Sequence, residues 1–153
     1  MKVSAKADYA VRAGAELAAA EGSEKPVKAE SIAIAQGIPP RFLENILADL
    51  RHAGLVHSQR GTDGGHRLAK PASEITVADV IRAVDGPLAA VRGERPEDVS
   101  YAGAAAPLQV VWIALRKSLR EVVERVTLAD LARGTVPPAV REKADDPEAW
   151  VTR

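Results

Sequence analysis

The chain has 153 residues, 46% of them hydrophobic, and its 21 basic and 21 acidic side chains cancel to a formal charge of zero. That length suits one compact domain plus an added element, and any affinity for a polyanion must come from local placement of Lys and Arg. No cysteine is present, which excludes disulfides, a thiol nucleophile and thiolate-held metal. No apolar run reaches membrane-spanning length, and Met1-Lys-Val-Ser-Ala-Lys6 lacks the apolar block of a secretory signal, so a cytoplasmic protein with no membrane partner is expected.

Ser4 is a good N-cap, and Tyr9, Ala13 and Leu17 recur every four residues, predicting a first helix to Ala20. Glu21-Gly-Ser-Glu-Lys-Pro26 breaks it. Val27 to Gln36, with Ala29, Ile32, Ala33 and Ala35, predicts a short alanine-rich second helix that ends at Gly37. Pro39 and Pro40 suit the first turn of a third helix, where the N–H that proline lacks has no intrahelical acceptor. Leu43, Ile46, Leu47 and Leu50 follow at i, i+3, i+4 and i+7, leaving Arg41, Glu44, Asn45 and Arg51 on the other side until Gly54 stops the helix.

Leu55 to Arg60 and His66 to Lys70 have strand length, and Asp63-Gly64 between them predicts a hairpin turn built on positive φ. Thr76 with Asp79 three residues on is the capping signal of a fourth helix, with Val77, Val80, Ile81 and Val84 as its buried stripe and Gly86-Pro87 as its end. Leu88 to Pro107 loses periodicity and reads as a loop or partly ordered segment.

Leu108 to Val126 predicts a long amphipathic helix with Leu108, Val111, Trp112, Leu115, Leu119, Val122 and Val126 on one face. Lys117/Glu121, Arg120/Glu124 and Glu121/Arg125 form i, i+4 pairs on the other. Thr127-Leu-Ala-Asp130 opens a last short helix closed by Gly134, and Pro137 to Arg153 reads as a loose polar tail anchored by Trp150 and Val151. The expected architecture is mainly α with a small β-hairpin: a winged helix-turn-helix over 1–86, a loop over 87–107, a dimerisation helix with a short closing helix over 108–135, and a polar tail over 136–153.

A helix-turn-helix offers the first residues of its second helix to base edges in the major groove. Here those are Pro40, Arg41, Phe42, Glu44 and Asn45. Arginine can fork onto guanine, a carboxylate can accept from cytosine, and an aromatic edge can meet a thymine methyl. The bland alternative for Glu44 is an ion pair on a solvated helix face. Around the wing, Arg60, Arg67 and Lys70 can reach phosphate or a minor groove, unless the hairpin is an ordinary surface element.

His52, His57 and His66 fall in the same region without metal-ligand spacing, so no metal site is expected, and no nucleophile–base pair or phosphate loop suggests an enzyme. The apolar face from Leu108 exceeds what a small wing domain needs. It predicts a homodimer suited to pseudo-palindromic double-stranded DNA, the alternative being a helix folded back on its own domain.

These residues resemble the Rrf-two family of bacterial transcription regulators over about residues 1 to 135. The likeness rests on Ser4 to Arg12, Ile38 to Val56, Gln59-Arg-Gly-Thr-Asp-Gly-Gly65, Ile75 to Gly86 and Thr127 to Leu131. The resemblance implies a homodimer joined through the long helix that acts as a repressor or activator, with the family's base-reading glutamate at Glu44 and its wing arginine at Arg60. Many members hold an iron-sulfur cluster through three cysteines in the loop before that helix. Here the loop has none, so the expectation is a cluster-free regulator with no cofactor, answering to an effector protein or small ligand. Asp8 lies where some members supply a carboxylate ligand from the partner subunit. A winged-helix protein-interaction module that has lost DNA binding is the competing reading.

Overall fold

The computed structural model describes every residue from Met1 to Arg153. Seven helices form in chain order: α1 (Ala5–Ala19), α2 (Ala29–Gln36), α3 (Pro40–His52), α4 (Val77–Asp85), α5 (Leu108–Val123), α6 (Leu128–Arg133) and α7 (Pro138–Asp145). Strands β1 (Val56–Gln59) and β2 (Gly65–Leu68) pair antiparallel between α3 and α4. The fold is therefore mostly helical with one hairpin, as expected.

The centre of the core is α1, whose inner face is made of small residues: Ala7, Ala10, Ala13, Gly14, Leu17 and Ala18. Small side chains let α2, α3, α4 and α6 all approach it. The tightest approach is at Gly14, where an added Cβ would stand 3.0 Å from the Leu128 side chain of α6. Around α1 lie Ile32, Leu43, Ile46, Leu47, Leu50, Ile75 and Val80, all buried.

Two capping boxes lie side by side. Thr76 and Asp79 cap α4, Thr127 and Asp130 cap α6, and in each the threonine Oγ1 accepts from the aspartate N–H while the carboxylate accepts from the threonine N–H. An isolated antiparallel bridge joins them: Val77 N–H donates to Val126 C=O and Leu128 N–H to Ile75 C=O, both at 2.9 Å. Residues 128–133, grouped in sequence with the long helix, thus share the core of residues 1–86. Thr127→Ala should cost about 1 kcal/mol, read as a lower urea midpoint with unchanged slope.

Several expectations are corrected. The long helix ends at Val123; Val126 has left it and is buried through its pairing with Val77. On α4 only Ala78 and Val80 are buried, and Val77, Ile81 and Val84 are half-buried, while Ala35 on α2 faces solvent. Of the three exposed ion pairs only Arg120–Glu124 forms, at 3.0 Å; Glu121 lies 4.0 Å from Lys143 instead.

Residues 88–107 are ordered rather than loose. Leu88, Pro96 and Val99 are buried, and polar side chains of α5 hold the backbone in place. The Gln109 amide donates to the carbonyls of Glu97 and Val99 at 3.1 and 2.7 Å, and the Trp112 indole N–H donates to the Tyr101 hydroxyl at 3.0 Å. The tail is helical as α7, and its expected anchors face water: Trp150 is 79% exposed and Val151 53%.

Candidate nucleic-acid interface

The turn between α2 and α3 is made by Gly37, in the left-handed region at φ 62°, with Ile38 N–H donating back to Ala33 C=O at 3.0 Å. Ile38 is buried beneath this turn. Pro39 then caps α3 and Pro40 occupies its first position. Burial of Leu43, Ile46, Leu47 and Leu50 fixes the rotation of the helix, so Arg41, Glu44, Asn45 and Arg51 all face solvent, as the stripe predicts. At the far end Leu55 N–H donates to Leu50 C=O at 2.9 Å across Gly54, whose φ is 75°.

A stack of side chains from α1 ties it to the end of α2 and the start of α3. The Arg12 guanidinium lies 4.6 Å over the Tyr9 ring, donates to Gln36 C=O at the end of α2 at 2.7 Å, and pairs with Asp8 at 2.8 Å. Tyr9 in turn meets Phe42 edge to face at 5.5 Å. The ring of Phe42, expected to face bases, is braced on α1 along one edge and keeps 40% of its surface exposed. Asp8 is engaged by Arg12, and Lys6 reaches Asp49 on α3 at 2.6 Å. The signal for the stack was present in the i, i+4 spacing of Asp8 and Arg12 and the i, i+3 spacing of Tyr9 and Arg12.

The hairpin loop spans Arg60 to Gly64, since Gln59 pairs with Gly65. The expected turn at Asp63-Gly64 is corrected: the positive φ falls at Gly61, at 105°, and Gly64 is needed for space. A Cβ at Gly64 would lie 2.2 Å from Gln59 O, and one at Gly65 2.5 Å from Val27 O. The second clash reflects a single bridge from Val27 to the wing. Val27 N–H donates to His66 C=O at 2.9 Å and His66 N–H to Val27 C=O at 2.7 Å, docking the wing on the approach to α2.

Arg67 was expected at DNA and is corrected. Its guanidinium donates to the carbonyls of Ser23 and Glu24, which ties the wing base to the α1–α2 connection. Lys28 Nζ holds the wing tip through Thr62 C=O at 2.7 Å. Arg60 and Lys70 stay exposed. His52 and His57 are also exposed, whereas His66 is half-buried with Nδ1 2.9 Å from Ser58 Oγ. Burial first, and the nearby Arg51 charge second, hold the His66 pKa below its usual value. This keeps the imidazole neutral at neutral pH, so its contribution to stability falls as pH drops below the ordinary histidine range.

A helix-turn-helix with the first turns of its second helix in water, followed by a hairpin docked beside it, defines a winged-helix protein of the DNA-binding class. Comparison with known proteins agrees. The family model Rrf2, described as an iron-dependent transcriptional regulator, matches residues 3–134. The chain belongs to this family of transcription regulators.

An HTH-type transcriptional regulator of Mycobacterium tuberculosis is 52% identical over 146 residues, covering 95% of this chain and 90% of that one. CymR of Bacillus subtilis is 36% identical over 88% of this chain and 92% of its own. Among solved structures, that of the B. subtilis global cysteine regulator CymR superposes with a TM-score of 0.73 at 36% identity, covering 88% of this chain and 98% of that one. T. potens IscR gives 0.67 at 35% identity, covering 100% and 93%. The protein is thus a DNA-binding transcription regulator rather than an enzyme.

The family's iron meets no suitable donor set here. There is no thiolate, and no three His, Asp or Glu side chains converge where a metal could be held. Iron-sulfur clusters are anchored by soft anionic sulfur ligands, which this chain does not supply.

Proposed function

We propose that the protein is a sequence-specific repressor, cytoplasmic and homodimeric, that binds a pseudo-palindromic operator. Arg41, Glu44 and Asn45 read base edges; Arg60 contacts backbone or minor groove from the wing; Arg51 lends positive charge further along α3. Pro40 sets the start of the helix and Phe42 its seating on α1. A bound dimer excludes other proteins from the DNA it covers, which makes repression the simplest outcome.

The observation that carries this reading is Glu44. Its carboxylate is exposed on the first turns of α3 and forms no ion pair, unlike Asp49 on the same helix, which is engaged by Lys6. An unpaired carboxylate facing a polyanion weakens binding unless it accepts a hydrogen bond from a base amino group. Fluorescence anisotropy on a duplex selected from a random pool tests it. Glu44→Ala should relax preference at one base pair by about 1–3 kcal/mol. Arg60→Ala should weaken every sequence and flatten the salt dependence. Equal, salt-insensitive affinity for all duplexes would favour a protein-interaction module instead.

Dimerisation is supported by α5, on which no residue is buried within one chain. Leu108, Trp112, Leu115, Leu119 and Val122 are half-buried, Val111 is 53% exposed, and Val110 and Ile113 widen the apolar surface left in water. Face-to-face packing of two such helices would remove that surface from solvent.

A further inference from the structure

A cleft of about 470 Å³ opens between the end of α4, the segment that follows it and the middle of α5. Four arginines line it, Arg82, Arg95, Arg116 and Arg120, with Glu97 as the single carboxylate in the lining. Their charge is under-compensated. Arg82 and Arg120 converge on the same oxygen of Glu124, the latter at 3.0 Å, while Asp79 stands 3.7 Å from Arg82. Arg116 is engaged by Glu97, and Arg95 has no ion pair. Each guanidinium carries five N–H donors in a planar fork, so Glu97 and Glu124, with Asp79 at longer range, engage only some of the donors of the four arginines.

We propose that this cleft binds a small multivalent anion, a metabolite bearing phosphate or clustered carboxylate groups, and that its occupancy is the effector signal. Planar guanidinium forks match these oxyanions two bonds at a time. The neighbouring carboxylates stay ionised and offset part of the guanidinium charge, so an incoming anion competes with them for the same forks. Glu97 is held below the usual carboxylate range by its own backbone N–H and by Arg116, and Glu124 chiefly by its bond from Arg82. The cleft also lies away from the base-reading residues. Asp85, at the end of α4, meets Ser4 at the start of α1, close to the Lys6–Asp49 pair in the second half of α3, whereas Arg41 and Glu44 occupy the first half. A duplex held on the first turns of α3 therefore leaves it open to a small molecule.

The effector role rests on the DNA-binding reading above. One wall of the cleft is α4, which packs on α1 and α3, and the other is α5. An anion bridging Arg82 to Arg116 draws these walls together and alters the spacing of two recognition helices in a dimer.

Calorimetric titration of the full chain with pyrophosphate, phosphate and citrate, chloride-balanced to constant ionic strength, tests the site. Saturable binding of one anion per chain is expected. It should weaken about tenfold or more in Arg95→Ala and in Arg120→Gln, and stay unchanged in Arg60→Ala. Arg95→Ala breaks no ion pair, so its melting temperature should match wild type. Preference for pyrophosphate or for citrate assigns the phosphate or carboxylate class. Saturating anion should shift operator affinity about fivefold or more.

A response that never saturates, or is indifferent to Arg95 and Arg120, overturns the site. Binding without any change in operator affinity overturns the effector role. Loss of affinity for every duplex in Arg95→Ala, with no anion binding by wild type, would assign the arginines to DNA backbone and also overturn the proposal. Failure of the wild type to bind operator both without anion and at saturating anion would refute the DNA-binding reading, and the effector role with it.

Discussion

Gly65→Ala is expected to detach the wing. The new Cβ would lie 2.5 Å from Val27 O and 2.8 Å from Val27 C, and both are backbone atoms held by paired hydrogen bonds to His66 at 2.9 and 2.7 Å. Neither side can yield without breaking that bridge, and the φ of 154° adds strain for any L side chain. The loss should be about 2–4 kcal/mol, seen as a lower urea midpoint. Operator affinity should fall about tenfold as Arg60 loses its fixed position, while preference at the base pair read by Glu44 persists. Gly61→Ala is the control. Its Cβ meets open space, so only the cost of φ at 105° remains, about 1 kcal/mol. Wild-type stability and affinity in Gly65→Ala would refute the docking role assigned to this glycine.

The recognition half was legible because its signals are local. Leu43, Ile46, Leu47 and Leu50 repeat with helical period, which fixed the face of α3 and put Arg41, Glu44 and Asn45 outside. Thr76 and Asp79 announced a cap at the right residue. What escaped was non-local. A single bridge from Val27 to His66 has no periodic pattern, and a wing arginine looks the same in sequence whether it faces phosphate or, like Arg67, two carbonyls.

Order in residues 88–107 comes from Gln109, Trp112 and Arg116, side chains of another element, so the segment itself shows no period. The α7 helix was missed for a different reason. Pro138 at its first position is a start signal, but the polar composition after it outweighed that cue.

Val111→Asp is expected to separate the dimer without unfolding the chain. Ion pairs hold one side of α5 to the rest of the molecule: Arg116 to Glu97, and Glu124, just past the helix end, to Arg82. On the opposite side Glu121, near the end of the helix, lies 4.0 Å from Lys143 of α7, whereas Val111, nearer its start, is 53% exposed, so an aspartate there is solvated in the monomer. In a packed pair of helices the same carboxylate would be stranded in apolar surroundings without a cation. Burying it costs about 3–5 kcal/mol, equivalent to a rise of roughly a thousandfold in the dimer Kd. Leu115→Asp should dissociate the dimer too, and because Leu115 is half-buried within its own chain, it should also lower the melting temperature. Sedimentation equilibrium at micromolar concentration separates the two effects from each other when helix content is followed by circular dichroism. The Val111→Asp monomer should still contact a half-site through Arg41 and Glu44, yet lose the affinity that comes from engaging both halves at once. A wild type that sediments as a monomer, or a Val111→Asp variant that remains dimeric, would show that this face of α5 is not where two copies meet.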